Sequence, residues 1–439
     1  MEDEYARLVW RMNSPRVVID NRSCEHATVI EIVSLNRHGI LLEVVQVLMD
    51  LNLIITKAYV SSDGDWLMDG TIQVINVTDC DGNKVRDEGV LKYIQKTLET
   101  DVCFLKSIKC SEGLKPIKNH TSIELIGTDR PGFLSEITAI LTDFKCSVSS
   151  AEFWTHNARA AAIIHVTDQS TGYAIEDPLR LFKIKNLFSN ILKDHKNDLR
   201  PPNITMSSSS SLSTSNQTQR RLHQMMFADR DFEKHDGEVK DSNKRSHACV
   251  LNCNDRDYSV VTLRSKDRPF LMFDTLCSLT DMEYVVFHGT LITRGIEAYQ
   301  EYYVRHVDGL PMGSEAERQR VIECLEAAIE RRVTEGVELE LCTKDRFGLL
   351  SDVTRIFREN GLRIRRAEIS TKSGKVKNTF LVTDVSGNPL EHKIVDLVIG
   401  QIGQTTLKVK EHHLVMSPKR PFERARSFLF GNFLKGESV

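Results

Sequence analysis

The sequence has no apolar run near the roughly 20 residues that cross a bilayer. Positive charge is not in excess, because 58 lysines and arginines stand against 61 aspartates and glutamates, a net charge of −3. Nucleic acid is therefore not expected as a partner. The ten cysteines follow no disulfide framework, which predicts reduced thiols and a protein of the cytoplasm, with the nucleus as a second compartment. The acidic start Met1-Glu2-Asp3-Glu4 is unlike a signal or transit peptide.

Familiar catalytic and cofactor patterns are also missing. The chain contains no Gly-x-Ser-x-Gly elbow, no phosphate loop and no dinucleotide glycine fingerprint. The spacing His247-x-Cys249-x3-Cys253 fits no common zinc pattern. The aromatic-rich phrase of RNA-binding sheets is absent as well. We therefore expect no cofactor and no metal, and an enzyme such as a residual transferase is the least favoured hypothesis.

One phrase recurs four times along the chain. Asp-Arg-Pro-Gly-Phe-Leu at 129–134 follows a strand-like apolar run and opens a helix-like run. A near copy occupies 345–350, and looser copies begin at Asn36 and Asp267. Each copy is followed, 39 to 43 residues later, by a strand that ends in Asp. Four copies of a strand–loop–helix device indicate an internal repeat.

Hydrophobic periodicity within each repeat predicts the order strand–helix–strand–strand–helix–strand. This order predicts an α+β fold of tandem ferredoxin-like βαββαβ domains, with antiparallel sheets paired side by side. In the first repeat the last strand is expected at 102–108. The repeats, called repeats 1 to 4 below, occupy 28–110, 120–195, 258–333 and 337–410, between a lead-in at 1–27 and a tail at 411–439.

The segment at 196–249 differs from the repeats in composition. It contains Pro201-Pro202 and a cluster of serines but few large apolar residues. This composition predicts a disordered serine-rich linker, so that the chain consists of two tandem pairs joined by a tether. The serines are either phosphorylation sites or simply keep the tether solvated.

The tail combines basic residues at 419–426 with an aromatic patch at 428–434. Three interpretations remain open for it: contact with an anionic membrane or a partner protein, a weak nuclear signal, or packing of the aromatic side chains on a domain.

The repeated device resembles the ACT domain, a regulatory module that binds amino acids. Four copies without a catalytic domain, together with the phrases at 11–17 and 61–66, resemble the plant ACT-repeat proteins. The repeats are also similar to those of bacterial uridylyltransferases. The resemblance implies amino-acid or nitrogen sensing, with the ligand between paired domains. Two copies depart from the pattern: Phe270 replaces glycine in repeat 3, and Asn36-Arg37-His38 replaces Asp-Arg-Pro in repeat 1.

The chemistry of the loop suits an amino acid. The loop precedes a helix N-terminus, where free N–H groups and the helix dipole favour a carboxylate. A glycine lets the backbone approach the ligand, and an aspartate accepts hydrogen bonds from its ammonium group. The predicted ligand-binding residues are Asp129, Arg130, Gly132, Phe133, Asp345, Gly348, Leu349, Asn36 and Gly39.

The same loop residues also have a purely structural interpretation. The aspartate is a good N-cap, proline suits a first helical turn, and glycine suits a tight loop. The loop arginines are expected to be solvated or sheet-edge charges, and Trp66 and Trp154 to be packing residues. Two main hypotheses follow. The protein is either a non-enzymatic sensor that binds free amino acids and self-associates or contacts a protein partner through its sheets, or a protein–protein interaction scaffold without a ligand.

Overall fold

The computed structural model describes residues 15–62, 70–99, 120–192, 202–209, 215–233, 247–253, 257–332, 335–403 and 406–410. Within these ranges, strands form two eight-stranded antiparallel sheets on which helices pack. None of the helices in these ranges is both long and apolar enough to cross a membrane. The predicted strand at 102–108 and the tail at 411–439 lie outside the described residues.

The secondary-structure elements are numbered in chain order. The strands are β1 Arg16–Asp20, β2 Thr28–Leu35, β3 Ile54–Ser62, β4 Gly70–Thr78, β5 His120–Thr128, β6 Cys146–His156, β7 Arg159–Asp168, β8 Asn203–Ser209, β9 His247–Cys253, β10 Tyr258–Lys266, β11 Tyr284–Arg294, β12 Glu297–His306, β13 Val337–Lys344, β14 Leu362–Lys372, β15 Lys375–Asp384 and β16 Leu407–Val409. The helices are α1 Ile40–Asp50, α2 Glu88–Glu99, α3 Phe133–Asp143, α4 Pro178–Leu192, α5 Ser215–Ala228, α6 Leu271–Asp281, α7 Glu315–Glu330, α8 Leu349–Glu359 and α9 His392–Ile402.

The two sheets join repeats that are not neighbours in the chain. Sheet A has the order β1-β2-β4-β3-β11-β12-β10-β9, and sheet B has the order β16-β13-β15-β14-β6-β7-β5-β8. Repeat 1 therefore pairs with repeat 3 through β3 and β11, where Val60 lies opposite Gly289. Repeat 2 pairs with repeat 4 through β6 and β14, where Glu152 lies opposite Glu368. The predicted α+β fold with side-by-side pairing is confirmed, but the grouping into tandem pairs is wrong.

The connection between repeats 3 and 4 is short for two repeats that would share a sheet. Helix α7 ends at Glu330 and packs on β9, and β13 begins at Val337. If repeats 3 and 4 shared a sheet, β13 would lie six strand spacings from β9, or about 29 Å. The seven Cα-to-Cα steps from Glu330 to Val337 reach only about 25 Å when fully extended. The chain therefore passes into a second sheet instead of continuing the first.

The fourth strand of a repeat follows the repeat's second helix in two repeats and precedes the repeat in the other two. In repeats 2 and 4 the expected order holds, because β8 follows α4 and β16 follows α9. In repeats 1 and 3 the equivalent sheet position is filled by β1 and β9, which precede the repeat. Each of these strands reaches its neighbour through a short local connection, which is how antiparallel strands are commonly joined. The lead-in and the predicted linker thus supply strands of sheet A.

The segment predicted to be a disordered linker contains β8, α5 and part of β9, so the prediction is wrong for these residues. The serines at 207–209 lie in β8, whose backbone pairs with β5. In α5, Leu222, Met225 and Met226 follow helical spacing and pack with Trp154 of β6. Burial of this apolar stripe offsets the cost of ordering a polar segment. The expectation that Trp154 is a packing residue is confirmed.

Helix α5 lies between the two sheets. One side of it packs against β6 and β7 on the face of sheet B that carries no repeat helices, and the other side contacts α1 and α6 of the sheet A pair. The amide of Asn216 donates to Asp50 at 2.8 Å, and Arg220 pairs with Asp281 at 2.6 Å. On the opposite side, Gln219 donates to Glu152 at 3.2 Å. The helix therefore bonds to three different repeats.

A group of buried ionic residues continues this contact, and we call His156, His223, Asp231, Asp274, Arg331 and Arg332 the inter-sheet cluster. Arg331 donates to both carboxylate oxygens of Asp231, at 2.8 and 2.6 Å. Arg332 donates to Asp274 at 2.8 Å, and its guanidinium lies 5.0 Å from the ring centre of Trp154. Because these charges are buried and paired, loss of one partner leaves the other uncompensated.

The hydrogen bonds of His223 define its tautomer. An arginine can only donate, so Nδ1 of His223 accepts from Arg331 at 3.0 Å. Its Nε2 therefore carries the proton and donates to Asp274 at 2.8 Å. Burial lowers the pKa of His223 to about 4, with the bond to Asp274 opposing and the charges of Arg331 and Arg332 adding to the shift. The folded protein thus holds His223 neutral at neutral pH.

Truncation of α5 tests whether it is a structural element. Met226 is completely buried, so Met226→Ala is expected to lower the free energy of unfolding by about 2–5 kcal/mol. Gln224→Ala, on the same helix but only half-buried, serves as the control and is expected to change it by less than about 0.5 kcal/mol. Denaturant unfolding measures both variants, and equal effects would argue against a packed α5.

The buried neutral His223 predicts an acid-dependent loss of stability. Between pH 6.5 and about 4, His223 is protonated in the unfolded state but stays neutral in the folded state. The free energy of unfolding therefore falls as pH falls. His223→Gln keeps one acceptor and one donor but does not titrate. We expect its slope of stability against pH in this window to be lower by up to about 1.4 kcal/mol per pH unit. Identical slopes in thermal unfolding at matched pH would contradict this assignment.

Candidate functional site

The four recurring loops end in the same backbone conformation. The residue before each first helix has a left-handed φ: 82° at Gly39, 80° at Gly132, 78° at Gly348 and 67° at Phe270. Glycine adopts this conformation without strain, whereas Phe270 does so at a cost. Arg332 lies over the Phe270 ring at 4.8 Å and holds it there. None of these four helices has a side-chain cap, so the interpretation of the loop aspartate as an N-cap is wrong.

Each loop arginine forms an ion pair with a carboxylate six residues later, in the first turn of the helix. Arg130 donates to Glu136 at 2.7 Å, and the pairs in the other repeats are Arg37–Glu43, Arg268–Asp274 and Arg346–Asp352. The expectation of solvated arginines is confirmed for Arg346, whose side chain is 57% exposed, and is wrong for Arg268, whose side chain is 11% exposed. The pair ties the loop to the helix that follows it, and Arg130 is already engaged in this way.

The loops lie at the interfaces between paired repeats. A Cβ atom at Gly348 would be 3.6 Å from Cγ2 of Thr142, at the end of α3, and one at Gly39 would be 3.8 Å from Cγ2 of Thr280, at the end of α6. In the middle of the α3–α8 contact, the hydroxyls of Thr138 and Thr354 are 2.8 Å apart and buried. Repeats 2 and 4 are thus related by a pseudo-two-fold axis, and each loop faces the end of its partner's first helix.

The loop of repeat 2 is closed by its partner. Arg363 at the start of β14 donates to Oδ2 of Asp129 at 2.6 Å, and the Asp129 side chain is buried. Burial raises the pKa of Asp129, although the neighbouring Arg363 opposes this shift. A Cβ atom at Gly132 would lie only 2.6 Å from Cδ of Arg358. We call this set of contacts the closed interface.

The loop of repeat 4 is open. Asp345 is exposed, forms no ion pair in the described part of the chain, and is held by its backbone N–H, which donates to Gly374 at 2.9 Å. Ser147 of β6 lies 18 residues after Asp129, as Arg363 lies 18 residues after Asp345, so Ser147 is the symmetry equivalent of Arg363. A short hydroxyl therefore replaces a long cation. We call Asp345, Gly348, Thr142 and Ser147 the open interface.

The remaining predicted residues serve other contacts. Phe133 and Leu349 are buried in the core shared by repeats 2 and 4. Asn36 is buried and donates to Ser62 at 3.2 Å, while Nε2 of His38 lies 3.0 Å from the carbonyl oxygen of Thr280. The loop of repeat 3 joins the inter-sheet cluster, because Arg268 pairs with Asp274 at 2.7 Å. Of the predicted ligand residues, Asp345 and Gly348 are the ones that the structure brings to an open loop.

The interior between repeats 2 and 4 is filled. A cavity of about 10 Å³ lies under α3, lined by Thr138, Glu152, Phe153, Leu350 and Ile369 among others. It has room for about one water molecule. This cavity is too small for a ligand of the size of an amino acid. In the described ranges, histidine, cysteine and acidic residues form no group of three that is placed to hold a metal.

Sequence reasoning missed the partner side of these interfaces. Every repeat has a β-bulge in its second strand, at Thr56, Ser149, Phe287 and Arg365. A bulge bends the strand and redirects its side chains, here beside the partner's loop. Burial lowers the pKa of Arg365, and the nearby Arg363 adds to this effect. The bulge lies 20 residues after the start of each loop, but the four residues at this position share no type that would have marked it in the sequence.

Comparison with known proteins agrees with this repeated architecture. Residues 23–105 match the model of the ACR family N-terminal ACT domain, and residues 337–395 match that of the ACT domain. The chain is 56% identical to ACT domain-containing protein ACR4 of Arabidopsis thaliana over 100% of this chain and 96% of that protein. It is 55% identical to ACT domain-containing protein ACR6 of the same plant, over 99% of both chains.

A more distant similarity covers a short segment. The bifunctional uridylyltransferase/uridylyl-removing enzyme of Gluconobacter oxydans (strain 621H) is 39% identical over 66 residues, which are 15% of this chain and 7% of that enzyme. The similarity predicted from the repeated loop is thereby confirmed. Given the full-length identity to the plant proteins and the four loops in two paired sheets, the chain belongs to the ACR family of ACT-domain-repeat proteins.

Proposed function

We propose that this protein is a non-enzymatic regulator that binds a free amino acid between repeats 2 and 4 and senses amino-acid or nitrogen status. One observation carries the proposal: the open interface exposes Asp345 beside the N-terminus of α8, whereas its symmetry mate is closed by Arg363. Membership of an ACT-domain family supports a regulatory role. The free amino acid is the only small molecule that the proposal requires.

The chemistry of the open interface matches both charged groups of an amino acid. The first turn of α8 offers backbone N–H groups and a positive dipole end to the carboxylate. Gly348 has no Cβ to block that approach. The Asp345 carboxylate accepts from the ammonium group. On the repeat 2 side, the Cγ2 methyl of Thr142 faces Gly348, while the Thr142 hydroxyl donates to the carbonyl of Thr138. In this pose the side chain of the amino acid points towards solvent, away from Asp345 and the helix N-terminus.

Binding at this place depends on the pairing of repeats 2 and 4. The ligand touches α8 on one side and the end of α3 or the start of β6 on the other. The ligand therefore binds the arrangement in which repeats 2 and 4 are paired more tightly than an unpaired one. This difference in affinity allows ligand binding to change the pairing. A protein partner that recognises the paired form would read the amino-acid level.

The alternative function is a protein–protein interaction scaffold without a ligand. The closed interface supports it, because one of the two symmetry-related loops already uses a protein side chain, Arg363, where a ligand would bind. Both functions suit the cytoplasm, with the nucleus as a second compartment. The free thiols of the described cysteines fit a reducing compartment of this kind.

Thermal unfolding with a panel of the twenty amino acids at millimolar concentration tests the sensor. We expect a selective rise in Tm, equivalent to about 2.7 kcal/mol when the ligand is at 100 times its Kd. Ser147→Arg is expected to abolish this rise, because a guanidinium beside Asp345 recreates the closed interface. Ser147→Ala is the matched control and is expected to keep it. A flat panel for the wild type would favour the scaffold.

The two loop aspartates are expected to differ in their effect on stability. Asp129→Ala leaves Arg363 partly buried without its partner, so we expect a loss of about 3 kcal/mol in the free energy of unfolding. Asp345→Ala removes an exposed carboxylate and is expected to change stability by less than about 0.5 kcal/mol while abolishing ligand binding. If denaturant unfolding showed equal losses in the free energy of unfolding, the two aspartates would contribute equally to stability, which contradicts this prediction.

A further inference from the structure

Three arginines of repeat 4 lie at the closed interface. Arg363 donates to Asp129 at 2.6 Å. Arg358, at the end of α8, passes over the loop of repeat 2, because a Cβ atom at Gly132 would be 2.6 Å from its Cδ. Arg365 is close enough to Arg363 and Asp129 for both charges to act on its pKa. We call Arg358, Arg363 and Arg365 the arginine triad.

The three positions of the triad carry charge in repeat 4 alone. They lie 13, 18 and 20 residues after the first residue of the recurring loop. The same positions hold Thr142, Ser147 and Ser149 in repeat 2, Thr280, Val285 and Phe287 in repeat 3, and Met49, Ile54 and Thr56 in repeat 1. All nine of these side chains are neutral. The arginine triad is therefore a property of repeat 4 and not of the fold.

The triad has more positive charge than its surroundings neutralise. Among the described residues it pairs with a single carboxylate, that of Asp129, which Arg363 binds. Neither Arg358 nor Arg365 forms an ion pair within the described ranges. Other charges near the triad are bound in pairs of their own, which are Arg130–Glu136, Arg159–Asp229 and Arg355–Glu359. Two of the three positive charges are thus left without a partner.

An unpaired cation is unfavourable at this place because Arg365 is partly buried. Burial lowers the pKa of Arg365 and the neighbouring Arg363 adds to this effect, so its charged form is less stable here than in water. A guanidinium group does not lose its proton near neutral pH, so the charge stays and needs a counter-ion. Arg358 is exposed, and an anion reaches the triad from its side. An anion is therefore the partner that this arrangement lacks.

We propose that the closed interface binds a phosphate group, either as inorganic phosphate or as part of a small phosphate ester. A phosphate ester carries a charge of about −1.5 to −2 near neutral pH, which balances the two unpaired arginines. Planar guanidinium groups bind phosphate oxygens through two parallel hydrogen bonds. The N-terminus of α3, next to Arg358, has no side-chain cap, and its dipole favours an anion. Charge, donor geometry and helix dipole thus favour the same ligand.

The two interfaces between repeats 2 and 4 then take ligands of different charge. At the open interface, Asp345 has no ion pair in the described part of the chain and accepts from an ammonium group. At the closed interface, Arg363 already binds Asp129. A ligand there needs no cation of its own, and the ammonium group of an amino acid would be repelled by Arg363. The phosphate site therefore adds to the amino-acid site rather than duplicating it.

Isothermal titration calorimetry of the full chain with inorganic phosphate tests this site, with sodium chloride holding the ionic strength constant. We expect saturable binding by the wild type. Arg365→Ser and Arg358→Thr introduce the residues that repeat 2 has at these positions, and each removes one unpaired cation. Each is expected to raise the Kd for phosphate at least about tenfold. Arg294→Ser is the matched control: Arg294 is exposed at the end of β11 in sheet A, and this variant is expected to keep the wild-type Kd.

Each outcome decides for or against the phosphate site. A wild type that shows no saturable binding at millimolar phosphate overturns the proposal. Binding that Arg365→Ser and Arg358→Thr leave unchanged also overturns it, because the anion then binds elsewhere. Circular dichroism shows whether each variant is folded.

Glycerol phosphate distinguishes the two sources of the phosphate group. Tighter binding of glycerol phosphate than of inorganic phosphate assigns the site to a phosphate ester, and equal or weaker binding assigns it to the free ion. Thermal unfolding with the panel of amino acids reports on the open interface, so the failure of one proposal is distinguished from the failure of the other.

Discussion

Hydrogen bonding between the edge strands of non-neighbouring repeats underlies the whole molecule. The contact between β3 and β11 makes one continuous sheet from repeats 1 and 3, and that between β6 and β14 does so for repeats 2 and 4. These contacts also protect strand edges that would otherwise be open to other chains. Because the strands pair about pseudo-two-fold axes, each recurring loop is placed against the end of its partner's first helix. The candidate ligand position therefore exists only in the paired state.

The four loops share one backbone conformation but have different duties. The loop of repeat 2 is closed by an arginine, and the loop of repeat 1 bonds to Thr280 and Ser62. The loop of repeat 3 has become part of the inter-sheet cluster, where Arg332 contacts both Phe270 and Asp274. The loop that has Phe270 in place of glycine therefore takes part in the contact between the sheets. The loop of repeat 4 keeps the glycine, the aspartate and the open space.

The sequence predicted what depends on local periodicity and missed what depends on distant partners. The fold of each repeat followed from alternating strands and amphipathic helices. The pairing of repeats did not, because it consists of contacts between strands that are far apart in the chain, such as Val60 with Gly289 and Glu152 with Glu368. Helix α5 was missed because serine composition hid the helical spacing of Leu222, Met225 and Met226. At the loops, Asp129 and Gly348 were predicted as ligand-binding residues. Arg363 was not predicted as the partner of Asp129, because it lies 234 residues away and no local pattern indicates the contact.

Alternating pairing has a consequence for synthesis on the ribosome. Thr293 of β11 bonds to the carbonyl of Thr56, a residue 237 positions earlier in the chain. At 5–20 residues per second, repeat 1 waits roughly 10 to 50 s for the strand that completes its sheet. During this time its unpaired edge is open to misassembly, and contacts of such long range also slow folding once the chain is free. A truncated chain that ends before repeat 3 therefore contains neither complete sheet, whereas one that ends after repeat 3 contains the strands of sheet A.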